Sequence, residues 1–239
     1  MKKYELTEET INVFGKTLHR IRATRDFSNV HAGDLGGFIE NELNLSHDRD
    51  TWVYGNALVG GDARVYGNAL VSGDARVGGK ALVGGDARVG GNASVSGDAW
   101  VGGNALVSGN ARAYGEARVY GNALVGGNAW VGGNALVSGN ARVGGNALVS
   151  GNARVYGNAL VKGTRDIYWI PCIGSRDGTT TFFRNANNGI SVSCGCFYGT
   201  IDEFAAAVTK THGDNEHAQA YRHAIEIAKL RIKLTDAES

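Results

Sequence analysis

One proline and three cysteines are the whole complement of chain-bending and cross-linking residues in 239 positions. With so little proline, collagen and proline-rich disorder are both excluded. Cys172, Cys194 and Cys196 are too few and too clustered for a disulfide framework, and their pattern fits a reducing compartment. No apolar run approaches the ~20 residues of a membrane-spanning helix, and the first thirty or so residues carry charges throughout. The expectation is a cytoplasmic chain without a membrane anchor. Charge of one sign is also missing, since 24 basic residues face 23 acidic ones for a formal net charge of +1. That balance gives no electrostatic case for binding nucleic acid or a membrane surface, and supplies no acidic face to mimic DNA. The length suggests one elongated body with a small module attached.

Glycine is what the chain has in excess, at 37 residues, about twice the usual share of ~7%. The excess is organised. Val53 to Leu160 is eighteen consecutive hexapeptides without insertion or deletion, beginning Val53-Tyr54-Gly55-Asn56-Ala57-Leu58. Valine opens every hexad except the one at Ala113, glycine is third and alanine fifth. The fourth residue is Asn or Asp except at Lys80 and Glu116, and the sixth is Leu or Arg except at Ser94, Trp100 and Trp130.

In a strand, alternate residues take opposite faces, so Ala57 and Val59 point one way and Leu58 and Gly60 the other. The Gly-Asn and Gly-Asp pairs tolerate the positive φ that a corner between short strands requires. A strand and a corner every six residues, with only Val and Ala inside, coil the chain into a parallel β-solenoid whose backbone groups pair with the coils above and below. A helix is excluded, because a glycine in every hexad costs about 1 kcal/mol each. Three hexads per coil give a triangular prism of six coils, and two give a flatter ribbon of nine. The prism has more room for paired Val and Ala and is preferred.

The run Val-x-Gly-Asn-Ala-x resembles the hexapeptide repeat of left-handed β-helix proteins. Lys3-Tyr4-Glu5-Leu6, the segment from Arg25-Asp26-Phe27-Ser28-Asn29 through Gly33-Asp34-Leu35-Gly36-Gly37-Phe38-Ile39, and Asn44-Leu45-Ser46 sharpen the likeness. They resemble the YdcK-like hexapeptide-repeat proteins and related phage and prophage open reading frames. The resemblance covers residues 1 to about 163 and implies a left-handed parallel β-helix encoded on a mobile element. It implies no reaction.

Residues 1–52 read as an N-terminal capping segment of two or three strands and loops, since an open solenoid end invites polymerisation. Gly33, Gly36 and Gly37 read as turn glycines, lacking the strand and helix context of a phosphate cradle. Residues 53–163 are the β-helix, and 164–239 a small α+β module. In that module Ile167–Pro171, Thr179–Arg184 and Gly189–Cys196 read as antiparallel strands. Thr200-Ile201-Asp202-Glu203 is a capping box opening a helix to about Lys210, and a second helix runs from near Asp214 to about Leu234. The fold class is mainly β.

Several constellations bear on chemistry. Many hexapeptide-repeat proteins are trimeric acyltransferases with a histidine base and a looped-out insertion. Here no histidine lies between His47 and His212, and the repeats hold no loop. Cys194-Gly-Cys196, with Cys172 and His212, His217 or His223, has some of the donors of a zinc site, but Cys-x-Cys is a weak signal and reduced thiols in a small core are the blander account. A cysteine nucleophile with His212 as base lacks a third orienting group. Asp62, Asp74, Asp86 and Asp98 at corners read as side chains bonding their own turns rather than as calcium ligands. No catalytic residue, metal or cofactor is assigned.

The outward positions carry more. One face is expected to gather Leu70, Leu106, Leu124 and Leu160 with Tyr66, Tyr120 and Tyr156 as an oligomer interface. A second mixes Arg64, Arg118 and Arg154 with Leu82, Trp100 and Leu136. Arg176, Arg184, Tyr198 and His212 are the candidates for a ligand site in the terminal module. The reading is a non-enzymatic binding or scaffold protein that forms a homo-oligomer, with a trimer favoured. It presents its C-terminal module to a host protein in the host cytoplasm, inhibiting a bacterial antiviral defence protein or sequestering a small nucleotide. The alternatives are a diverged acyltransferase and a virion component or spacer.

Overall fold

The computed structural model describes residues 2–13 and 15–234. A hairpin of β1 (Tyr4–Val13) and β2 (Lys16–Ala23) leads to β3 (Leu35–Ile39). Nineteen two-residue strands follow at six-residue intervals, from β4 (Trp52–Val53) to β22 (Leu160–Val161). Each of β4 to β19 pairs in parallel with the strand eighteen residues on, as Leu58 with Arg76 and Trp100 with Arg118. Three hexads therefore make one coil, and the solenoid is a three-sided prism.

The coil period follows from what each residue type does. Ala and Val of every hexad fill the interior and are buried throughout. Three amides per hexad donate to the next coil, as Asn68 to Gly85, Leu70 to Ala87 and Ser72 to Val89 at 2.8–3.0 Å. At the corner, glycine is obligatory for two reasons. Gly97 has φ +71°, and a Cβ there would lie 2.9 Å from the Gly115 amide nitrogen and carbonyl oxygen of the coil above. Coils at the ~4.8 Å spacing of paired strands leave no room for a methyl group at that point.

The corner amides and carboxylates are used differently from expectation. Asn110 Nδ2 donates to Asn128 Oδ1 at 3.0 Å and Asn68 Nδ2 to Asp86 Oδ1 at 2.9 Å, with Asp74 likewise accepting from Asn56. These side chains bridge successive coils instead of bonding their own turns, because parallel stacking brings identical positions together every 18 residues.

The solenoid also begins before its hexads. Glu40, Ser46 and Tyr54 amides donate to Val59, Val65 and Val71 carbonyls, so β3, Leu45 and β4 form a first coil and bring the total to about seven turns. Asn44 does the work of a missing corner there. Its Nδ2 donates to Gly61 and Ala63 carbonyls, both at 2.9 Å, and its Oδ1 accepts from the Glu40 and Asn41 amides. Gly36 and Gly37 belong to β3 rather than to turns. A Cβ on either would strike a backbone oxygen, that of Val53 at 2.6 Å or of Ala57 at 2.5 Å. Beneath this coil the Lys3 ammonium is buried and donates to the carbonyls of Asp48, Arg49 and Thr51, 5.0 Å from the centre of the Phe27 ring.

The C-terminal module is a four-stranded antiparallel sheet, β23 (Ile167–Ile173), β24 (Gly178–Arg184), β25 (Ile190–Cys194) and β26 (Phe197–Thr200), one strand more than expected. Helices α1 (Ile201–His212) and α2 (Glu216–Arg231) follow. Thr200 and Glu203 form the expected capping box. One side of the sheet packs Phe182, Val192 and Ile190 against Phe204, Tyr221 and Ile225 of the helices. The other side closes the solenoid: Ile167 and Phe183 join its core, and the Arg154 amide donates to Thr181 Oγ1 at 3.0 Å.

Two predictions follow from this packing. Gly97→Ala is expected to cost at least about 1–2 kcal/mol, the penalty of a left-handed residue before any clash is added. Gly78→Ala, in open space without positive φ, should stay within about 0.5 kcal/mol. Urea denaturation compares the two. The second concerns Lys3, whose pKa burial lowers to about 8. From pH 8 up to the ordinary lysine range the unfolded chain holds a proton the folded chain has lost, so this group adds stability as pH rises across that window. Lys3→Met should remove that increment, seen as a urea midpoint that gains less than the parent's between about pH 7.5 and 9.5.

Candidate functional site

The prism presents three outward faces, each built from the sixth and second residues of every third hexad. The leucine face carries Leu70, Arg88, Leu106, Leu124, Arg142 and Leu160 in register. Its second positions run Tyr54, Ser72, Gly90, Ser108, Gly126, Gly144 and Lys162, so only at its two ends does a large side chain stand beside the leucines. A shallow depression of about 360 Å³ runs over Leu106, Leu124, Arg142 and Leu160.

The tyrosine face carries Arg64, Leu82, Trp100, Arg118, Leu136 and Arg154, as the alternation predicts. Tyr66, Tyr120 and Tyr156 stand on this face, not with Leu70, Leu106, Leu124 and Leu160. The chain turns at the glycine after each tyrosine, so Tyr66 shares a flat strand with Arg64. Tyr66 lies over Gly84 of the next coil, and Tyr120 stacks on Trp100 with ring centres 5.6 Å apart. Tyr156 is already occupied by this chain. Its ring centre is 4.7 Å from that of Tyr198, and its hydroxyl accepts from Ser193 Oγ at 3.1 Å.

The hairpin face carries Leu58, Arg76, Ser94, Arg112, Trp130 and Leu148. The tip of the β1–β2 hairpin overhangs one end, where Val13, Lys16 and Leu18 join Leu58, Gly60, Gly78 and Lys80 around a groove of about 660 Å³. The Lys16 ammonium contacts Glu40 at 2.9 Å, and Glu40 accepts from the Gly61 amide at 2.6 Å. These contacts, the lysine first, hold the Glu40 carboxyl below its ordinary pKa. A second groove of about 620 Å³ continues past Ser94 to Trp130.

The candidate ligand residues of the C-terminal module do not form one site. Tyr198 lies on the solenoid side of the sheet, against Tyr156. His212 lies on the helix side, its ring 5.8 Å from that of His217 and 5.9 Å from that of Tyr221. Arg184 is held by Asp166 at 3.8 Å and by Asn188 Oδ1 at 3.1 Å, and Arg176 is exposed in the β23–β24 turn. Consecutive strand residues face opposite ways, and the sheet itself separates the set. The cysteines do not converge either. Cys172 and Cys196 are exposed, while Cys194 Sγ accepts from Thr180 Oγ1 at 3.1 Å and lies 3.5 Å from the Tyr221 hydroxyl. Among the described residues no group of three or more His, Cys, Asp or Glu side chains is arranged to hold a metal ion. No helix among them is long and apolar enough to cross a membrane.

Sequence reasoning missed the hairpin face. Its signal was present, because Ser94 is the one small residue among the eighteen sixth positions.

Comparison with known proteins agrees with this geometry. The family model described as YdcK Beta solenoid repeat matches residues 63–79, 87–103, 117–133, 129–145 and 141–155. No curated protein matches the chain.

The docking of the module on the last coil is testable through Tyr198. Tyr198→Ala should cost about 0.5–1.5 kcal/mol, the worth of an aromatic pair. It should also speed amide exchange at Ala186, whose N–H donates to the Asn158 carbonyl across the junction. Hydrogen exchange read by mass spectrometry checks this.

Proposed function

We propose that this chain, a YdcK-type β-solenoid repeat protein, is a non-enzymatic scaffold that self-associates through its leucine face. The observation that carries the reading is the flatness of that face. Leu70, Leu106, Leu124 and Leu160 stand in register over a floor of serine and glycine, with no acidic side chain among the outward positions. On the tyrosine face the aromatics are partly covered by their own chain, Trp100 by Tyr120 and Tyr156 by Tyr198. A leucine row of this kind, interrupted by Arg88 and Arg142, supports an interface, and a second copy supplies the matching surface. A trimer is the assembly favoured.

Both solenoid ends are closed, so growth by end-to-end stacking is blocked and association is directed to the side faces. The scaffold reading includes a host protein as the target, with action in the host cytoplasm, in line with the likeness to phage open reading frames. The acyltransferase alternative gains nothing from the eighteen hexads, none of which carries a histidine.

Native mass spectrometry and light scattering of the full chain test the assembly. The parent is expected as an oligomer, and Leu106→Lys with Leu124→Lys as a folded monomer with an unchanged circular dichroism spectrum. A parent that stays monomeric at about 100 μM, well above the micromolar range of specific weak association, would overturn the reading.

A further inference from the structure

We infer that the hairpin face carries a binding site for a small phosphate ester bearing a flat ring, a mononucleotide being the simplest case. The phosphate is placed over Ser94 and the ring against Trp130. This site is separate from the leucine face and does not depend on self-association.

The argument starts from the one break in the repeat. Ser94 pairs in register with Arg76 on the coil below and with Arg112 on the coil above. Where every other hexad ends in Leu, Arg or Trp, this one ends in a hydroxymethyl group and leaves a notch one coil wide. The two arginines flank it, about 9.6 Å apart at two strand spacings, within reach of a group seated between them. Among the described residues neither has a carboxylate within ion-pair distance, and both are exposed. A guanidinium fork on each side matches an anion with several oxygens, as a phosphate has. Ser94 and Ser96 add hydroxyl donors at the floor.

The rest of the groove says what the anion is attached to. Arg112 lies 5.0 Å from the centre of the Trp130 ring, which positions its guanidinium, and Tyr114 meets the same indole edge-on at 6.2 Å. Trp130 is nevertheless 44% exposed, so ring surface remains open beside the cation. An exposed indole next to a cationic notch is a stacking surface for a planar ring joined to a phosphate. The opening of about 620 Å³ falls within the range of small-molecule sites. Asp74 also lines it, and its carboxylate accepts from Asn56 Nδ2 at 3.4 Å; with Arg76 and Arg112 the lining keeps a net positive charge.

The test is isothermal titration of the full-length chain with AMP, adenosine and inorganic phosphate. Saturable AMP binding is expected, tighter than either fragment. It should weaken at least tenfold in Arg76→Gln and in Arg112→Gln and be unchanged in Arg118→Gln on the tyrosine face. Ser94→Leu fills the notch while restoring the repeat's own consensus, so it should fold as the parent does and lose binding. Trp130→Leu should lose the preference for AMP over phosphate. No saturable binding at millimolar AMP, equal affinity for AMP and phosphate, or binding that survives Ser94→Leu would each overturn the site.

Discussion

The contact on which the rest of this molecule depends is the approach of one corner glycine to the next. Each coil hands its amides to the coil above, and that ladder closes only if the corner backbones come within van der Waals range of each other. Gly97 beneath Gly115 shows the limit: a single methyl group would occupy the space of a backbone nitrogen and oxygen. The Val and Ala interior is the second half of the same constraint, since larger side chains would force the three sheets apart and lengthen the corners. Sequence monotony here is a packing requirement repeated eighteen times.

With the interior so constrained, individuality is confined to the outward positions. The three faces share one backbone and differ in what stands on it. One is flat and leucine-rich, one is filled by aromatics stacked along the axis, and one is notched at Ser94 and overhung by a hairpin. The ends are individual too. Lys3 and Asn44 at one end, and Thr181, Phe183 and Tyr198 at the other, satisfy backbone groups and apolar surface that a repeating coil would leave open.

How much of this was legible in the sequence follows the same division. The solenoid and its inward residues were readable because period two along a strand and period six along the chain are both local. Three hexads per coil was a volume argument, and the 18-residue register supports it. The early start at β3 was obscured because Asn44 replaces a corner with a side chain, and no hexad marks it. The face of Tyr66 is not legible from alternation alone, because the chain turns at the third residue and not the second, which keeps Tyr66 with Arg64. The Arg176, Arg184, Tyr198 and His212 grouping failed because residues close in sequence were separated by a sheet only three-dimensional pairing reveals. The Ser94 notch was visible as an oddity, but its meaning required knowing that Arg76 and Arg112 are its neighbours across coils.

The 18-residue coil also sets how such a chain is free to change length. Removing or adding one whole coil returns every later residue to its original face, so both end structures still meet the surfaces they fit. Removing a single hexad turns everything beyond it by a third of a revolution. The sheet that seals the last coil through Phe183 and Thr181 would then meet a different face from the one it fits. The permitted lengths of this body are therefore quantised in units of 18 residues, and each unit adds one outward residue pair to each face, leaving the interior unaltered.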